Sequence, residues 1–100
     1  MRKIILDLRE ITSSEDIQAY LAEKLEFPEY YGMNLDALHD CLTDIDEPTC
    51  LGIFEPYGDH PVVDYLRRLR MVIRDSEAEN DNLGVIWGIP EDNFEEEYLM

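Results

Sequence analysis

The sequence predicts an α/β fold: a small three-stranded parallel sheet packed by helices. Three observations carry that prediction. Short apolar runs of strand length recur at residues 3–8, 49–54 and 83–87. The intervals between them hold apolar residues at helical spacing instead of two-residue turns. Strands separated by helices return parallel to one another, through right-handed crossovers.

Each element has its own local cause. Residues 3–8 (KIILDL) are apolar and partly β-branched, the composition of a buried strand. Ser13 or Ser14 then supplies an N-cap, and Ile17, Tyr20, Leu21 and Leu25 recur at helical spacing, so a first helix follows. Pro28 is expected to end it, because the residue before a proline is pushed out of the helical region. Residues 29–33 form a loop in which Gly32 is expected to take a backbone angle other residues resist. Asn34 caps a second helix running to Leu42 or Thr43, with Leu35, Leu38, Cys41 and Leu42 as its inward stripe.

Residues 44–48 read as a turn-rich acidic loop, and residues 49–54 (TCLGIF) as a second strand that Gly52 weakens slightly. Two prolines and a glycine make residues 55–61 a connection. A long helix follows, turning Val62, Leu66, Leu69, Val72 and Ile73 inward. Its Arg67, Arg68, Arg70 and Arg74 are half of all 8 basic residues and read as a solvated face. Residues 80–82 close that helix, and residues 83–87 (LGVIW) form the third strand.

One domain over residues 1–90 accounts for the whole pattern, with an acidic tail at 91–100 expected to fray or dock as a short turn. One hundred residues suffice to bury one core without staples, and an apolar fraction of 45% argues against wholesale disorder. No apolar run approaches a membrane span, and Asp7 interrupts the stretch Ile4, Ile5, Leu6, as an export signal would not. Cys41 and Cys50 match neither a metal-ligand spacing nor a disulfide framework. The expectation is a reduced, cytoplasmic chain with two small buried thiols and no cofactor.

Charge narrows the function. The chain carries 24 acids against 8 bases, a formal charge of -16, and no base falls between Lys24 and Arg67. Direct nucleic-acid binding is disfavoured, since that affinity comes largely from Lys and Arg neutralising phosphates. An acidic surface can instead resemble nucleic acid to a protein that binds it; the plainer reading is solubility. Asp36 and Asp40 stand one turn apart on the second helix, and Asp44 extends the row if the helix continues that far; like charges so placed destabilise by about 0.2–0.5 kcal/mol per pair. A helix packed on one face and self-repelling on the other looks made to meet something positive.

Two rivals use the same carboxylates. A glycosidase-like enzyme needs a concave cleft over Asp36 and Asp40, whereas a binding protein presents a convex ridge there. A Mg²⁺ or Ca²⁺ site needs ligands from several directions, which one helical row does not provide. Of the adjacent tyrosines, Tyr31 is expected inward and Tyr30 outward. His39 precedes Asp40 on the solvent side and is a candidate pH-sensitive contact.

The segment Pro28-Glu29-Tyr30-Tyr31-Gly32, then Asn34-Leu35-Asp36-Ala37-Leu38, then Asp40-Cys41-Leu42 resembles the barstar family, intracellular inhibitors of barnase-like ribonucleases. The similarity is dense over residues 27–42 and looser across 3–87. It implies a barstar-like fold and an inhibitor, not an enzyme: an antitoxin or immunity protein whose partner is a secreted or toxin ribonuclease of the barnase type. It implies that Asp40 sits where a substrate phosphate would, that Asp36 meets further cationic groups, and that Tyr30 packs on the catalytic histidine. An acid of the last long helix contributes in the family, and Asp75 is the candidate here. Gly32, Asn34, Leu35, His39, Thr43 and Asp44 complete the expected contact surface. The chain departs from the family's best-known member at His39, where that member has tryptophan, and at Asp44-Ile45, which replace a glycine-tryptophan pair. The same fold capping a different toxin or a nucleic-acid-binding protein is the alternative.

Overall fold

Six residues of strand-favouring sequence, Arg2–Asp7, open a sheet that the rest of the chain completes in a computed structural model describing residues 1–56 and 60–88. The elements run β1 (Arg2–Asp7), α1 (Ser14–Lys24), α2 (Leu35–Thr43), β2 (Thr49–Phe54), α3 (Val63–Glu79) and β3 (Leu83–Trp87). The three strands lie in the order β1-β2-β3 and all pairings are parallel. Successive strand residues point to opposite faces, so the register builds rows: Ile4, Leu51 and Val85 in one, Leu6, Ile53 and Trp87 in the next. That face belongs to the main core, whose helical side is Ile17, Leu21, Leu38, Leu42, Leu66, Leu69 and Ile73. Central β2 is buried at all six positions. Leu8, just past β1, is also buried and donates its N–H to Phe54 O.

At nine residues α2 is too short to be stable alone in water. Leu38 and Leu42, both 0% exposed, hold it down, each burial worth about 1.5–3 kcal/mol. Ser13 caps α1, its hydroxyl accepting from Asp16 N. Val72, expected inward, is half-buried, and the four arginines of α3 are exposed.

Two backbone expectations are corrected. Helix α1 stops at Lys24, before Pro28 can act, because Glu26 takes a left-handed conformation (φ 56°). Glu26 N–H then donates to Glu23 O and Phe27 N–H to Ala22 O, the paired reversal that closes many helices, here built without glycine. In the following loop Met33 (φ 57°), not Gly32, is the left-handed residue. Gly32 sits in a tight but not closed place: a Cβ there would lie 3.2 Å from Asn34 Nδ2, which would have to give by a few tenths of an ångström, and 3.4 Å from Ala37 Cβ. The acidic tail expected at 91–100 lies outside the described residues.

Candidate partner-binding surface

The loop ahead of α2 is tied by its own residues. Tyr31 N–H donates to Pro28 O at 3.0 Å, closing a turn. Asn34 works in both directions: Oδ1 accepts from Ala37 N at 2.8 Å, capping α2, and Nδ2 donates to Gly32 O at 3.2 Å. Between these ties the two tyrosines separate as expected. Tyr31 is buried against Phe27, ring centroids 4.7 Å apart, with its hydroxyl donating to Gln18 Oε1. Burial drives the Tyr31 hydroxyl far above its ordinary pKa, so it stays a donor. Tyr30 is 88% exposed, and Met33 of the same loop is exposed as well.

Helix α2 carries its acids away from the core. Asp36, Asp40 and Asp44 are all exposed, the Asp40 side chain at 85%. Asp36 lies in the first turn, where the helix dipole favours an anion. Asp40 and Asp44 lie at the other end, where the dipole opposes them by about 0.3–1 kcal/mol each, and the last turn has no basic residue. That end is held from α3: the buried Asn80 amide donates to Leu42 O at 2.9 Å and Ile45 O at 3.0 Å.

His39 joins the acids of two helices. Its Nε2 lies 2.5 Å from Glu79 Oε2 on α3, and its Nδ1 4.0 Å from Asp40 Oδ1. The hydrogen-bonded Glu79 carboxylate raises the imidazole pKa above its usual value; desolvation opposes this, while Asp40 and Asp75 add to it. Asp75 is exposed on α3. The Cys41 thiol is pushed up by burial and then by Asp44 and Asp40, which makes it a poor nucleophile.

The surface is a ridge between two shallow hollows. Asp36 borders one of about 330 Å³ with Met33, Asn34 and Arg68; Asp40 borders another of about 280 Å³ with Tyr30, Pro28, Asp44 and Ile45. Asp36 and Asp40 thus border different hollows and share neither of these two. A larger one, about 420 Å³, lies elsewhere, lined by Glu55, His60, Arg67, Arg70 and Trp87. Nor do three His, Cys, Asp or Glu side chains converge as a metal site among the described residues.

Of the anticipated contact residues, Tyr30, Gly32, Asn34, Asp36, Asp40 and Asp44 are exposed along this ridge, with His39 and Asp75 beside it. Two are directed otherwise. Leu35 packs against the core, and the Thr43 hydroxyl donates back to His39 O at 2.9 Å within its own helix. Glu79, Asn80 and Gln18 were not anticipated; their partners are distant in sequence, so no local pattern marks them. No helix among the described residues is long and apolar enough to cross a membrane.

Comparison with known proteins places this architecture. A family model described as Barstar (barnase inhibitor) matches residues 1–60, which span β1, α1, the loop, α2 and β2. A protein of Bacillus subtilis (strain 168) named "Putative ribonuclease inhibitor YrdF" is 54% identical over 52 residues, covering 51% of this chain and 57% of that relative. The chain thus matches little more than half of that relative's length. With the greater part of its residues matched by the family model, and the loop and acidic helix lying within the match, the chain belongs to the barstar family.

Proposed function

We propose that this protein binds one to one to a secreted or toxin ribonuclease of the barnase type and occludes its cationic active site. Its carboxylates take the place of substrate phosphate. The observation that supports this best is the exposed Asp40 on a ridge with Asp36 and Asp44, beside the outward Tyr30. A cleft that holds RNA must bind anionic oxygens, often by fork-like guanidinium contacts, and a carboxylate accepts the same contacts. In this reading Asp40 receives them, Tyr30 lies on the catalytic imidazole, and Asp36 and Asp75 meet cations at the rim. His39 and Asp44 border that contact, and Gly32 and Asn34 hold the loop that presents it.

A formal charge of -16 speeds encounter with a cationic partner, and salt screens that gain within a Debye length of about 8–10 Å. The printed name of the Bacillus relative, a ribonuclease inhibitor, agrees with this reading. The departures at His39, Asp44 and Ile45 favour a partner whose rim differs from that of barnase itself. An inhibitor of this kind acts in the cytoplasm, with residues 1–90 as its working domain.

The test is titration of barnase activity with this protein at low and at high salt. Stoichiometric inhibition that weakens with salt is the expected result. Absence of inhibition at low salt removes barnase as partner. If a different toxin or a nucleic-acid-binding protein is then bound in an Asp40-dependent way, the alternative capping role takes its place.

A further inference from the structure

Gln18 faces the core from α1, between Ile17 and Leu21 in sequence, and is 2% exposed. A leucine there would bury apolar surface with no polar group to match, whereas a buried amide is tolerated only if its ends are hydrogen-bonded. Both ends are. Oε1 accepts from the Tyr31 hydroxyl, and Nε2 donates to the Tyr65 hydroxyl on α3 at 2.6 Å. No buried side-chain polar atom among the described residues lacks a partner. One amide therefore links α1, α3 and the loop that precedes α2.

The loop's remaining hydrogen bonds run to its own residues or to the start of α2: Tyr31 to Pro28, Asn34 to Gly32, and Ala37 to Asn34. They shape it and join it to α2 without fastening it to α1 or α3. Tyr30 and Tyr31 are also chemically identical neighbours, and an apolar floor would accept either ring. A hydroxyl acceptor at one fixed point rewards a single placement, and fully satisfied buried networks of this kind specify a unique arrangement.

We propose that Gln18 is a positioning residue for the partner-binding surface: through Tyr31 it fastens the loop to α1 and α3, so that Tyr30 projects in its bound orientation before any partner arrives. The consequence for affinity rests on the inhibitor reading above; the positioning itself does not. A pre-ordered loop loses less freedom on binding, which appears as tighter association.

The test uses the full chain with Gln18→Leu, Tyr31→Phe and the double variant. Amide hydrogen exchange is followed at Tyr30, Tyr31 and Met33 and in β2, with urea unfolding alongside, and barnase serves as the binding probe. In Gln18→Leu the loop amides should exchange about tenfold faster while β2 amides follow only the global stability change, and barnase affinity should fall about tenfold, the factor equal to ~1.4 kcal/mol. Tyr31→Phe should do the same with its ring packing kept, and the double variant should lose little more than either single one, because both remove one shared bond.

Loop exchange and affinity within about twofold of wild type in Tyr31→Phe would overturn the proposal. So would acceleration shared equally by β2, which marks a merely structural role. Should Gln18→Leu fail to fold, Tyr31→Phe decides alone. Should wild-type protein not bind barnase, barnase is removed as the partner while the exchange measurements still decide the positioning.

Discussion

Asp40→Ala separates binding from folding. In the free protein its side chain is 85% exposed, and its ion-pair contact with His39 Nδ1 is long, at 4.0 Å, and screened by solvent. Truncation relieves repulsion from Asp36 and Asp44 one turn away on either side, about 0.2–0.5 kcal/mol each. It also removes an anion from the negative end of a helix, worth about 0.3–1 kcal/mol. The melting temperature should therefore stay level or rise. In the complex the balance reverses. Truncating one partner of a desolvated, hydrogen-bonded charge pair costs about 2–5 kcal/mol, a range that the barnase–barstar complex itself helped to set. That corresponds to roughly 30-fold to several-thousand-fold in Kd. Calorimetric titration against the ribonuclease, paired with a thermal melt, reads both quantities. A loss of affinity below about threefold, ~0.7 kcal/mol, would refute the placement of Asp40 in the cleft.

Asp36→Asn and Asp75→Asn should slow association more than they speed dissociation, and the slowing should vanish in about 1 M salt, where the Debye length is ~3 Å; equal rate constants at low salt would exclude both from the contact. His39 titrates with opposite consequences for folding and binding. Its pKa is raised above 6.5 by Glu79, so its stabilising contact is fully present below 6.5 and is lost as pH rises through the raised value. Binding to a cationic cleft should instead strengthen over that rise, and His39→Ala should flatten it; affinity flat between about pH 5.5 and 7.5 in both proteins would remove His39 from the contact. Asn80→Ala leaves the carbonyls of Leu42 and Ile45 without their buried donor, at about 1–3 kcal/mol. Each kcal/mol lowers Tm by about 4–8 °C in a domain of 60–100 residues, so a melt within about 2 °C of wild type would show that water replaces the amide.

What was legible in advance follows from how far each signal reaches along the chain. Apolar runs, the Asn34 cap and the acids at positions 36, 40 and 44 are patterns a few residues long, and the structure keeps all of them. The two backbone errors arose where a stronger local signal stood beside the residue that acts. Pro28 and Gly32 drew the expectation, whereas Glu26 and Met33 carry the left-handed angles. At Gly32 the crowding comes from Asn34 and Ala37, two and five residues on, once the loop has turned into the helix. The pairs His39–Glu79 and Asn80–Leu42 lie 40 and 38 residues apart and exist only because α2 packs on α3.

The same geometry explains how an unfavourable charge row survives. The main supports of α2 reach it from its ends or from beneath: Asn34 at the start, Leu38 and Leu42 below, Asn80 at the finish, with the His39–Glu79 contact added at its flank. None of these residues lies in the outward acidic row. The charges therefore act on helix stability mainly through short, screened repulsions and the dipole, a total of order 1–2 kcal/mol set against the burial of two leucines at about 1.5–3 kcal/mol each. Because Leu38, Leu42 and Asn80 hold the helix while Asp36, Asp40 and Asp44 face outward, a substitution in the acidic row, such as one at Asp44, is expected to alter binding with little effect on the fold. One at His39 also removes the contact with Glu79.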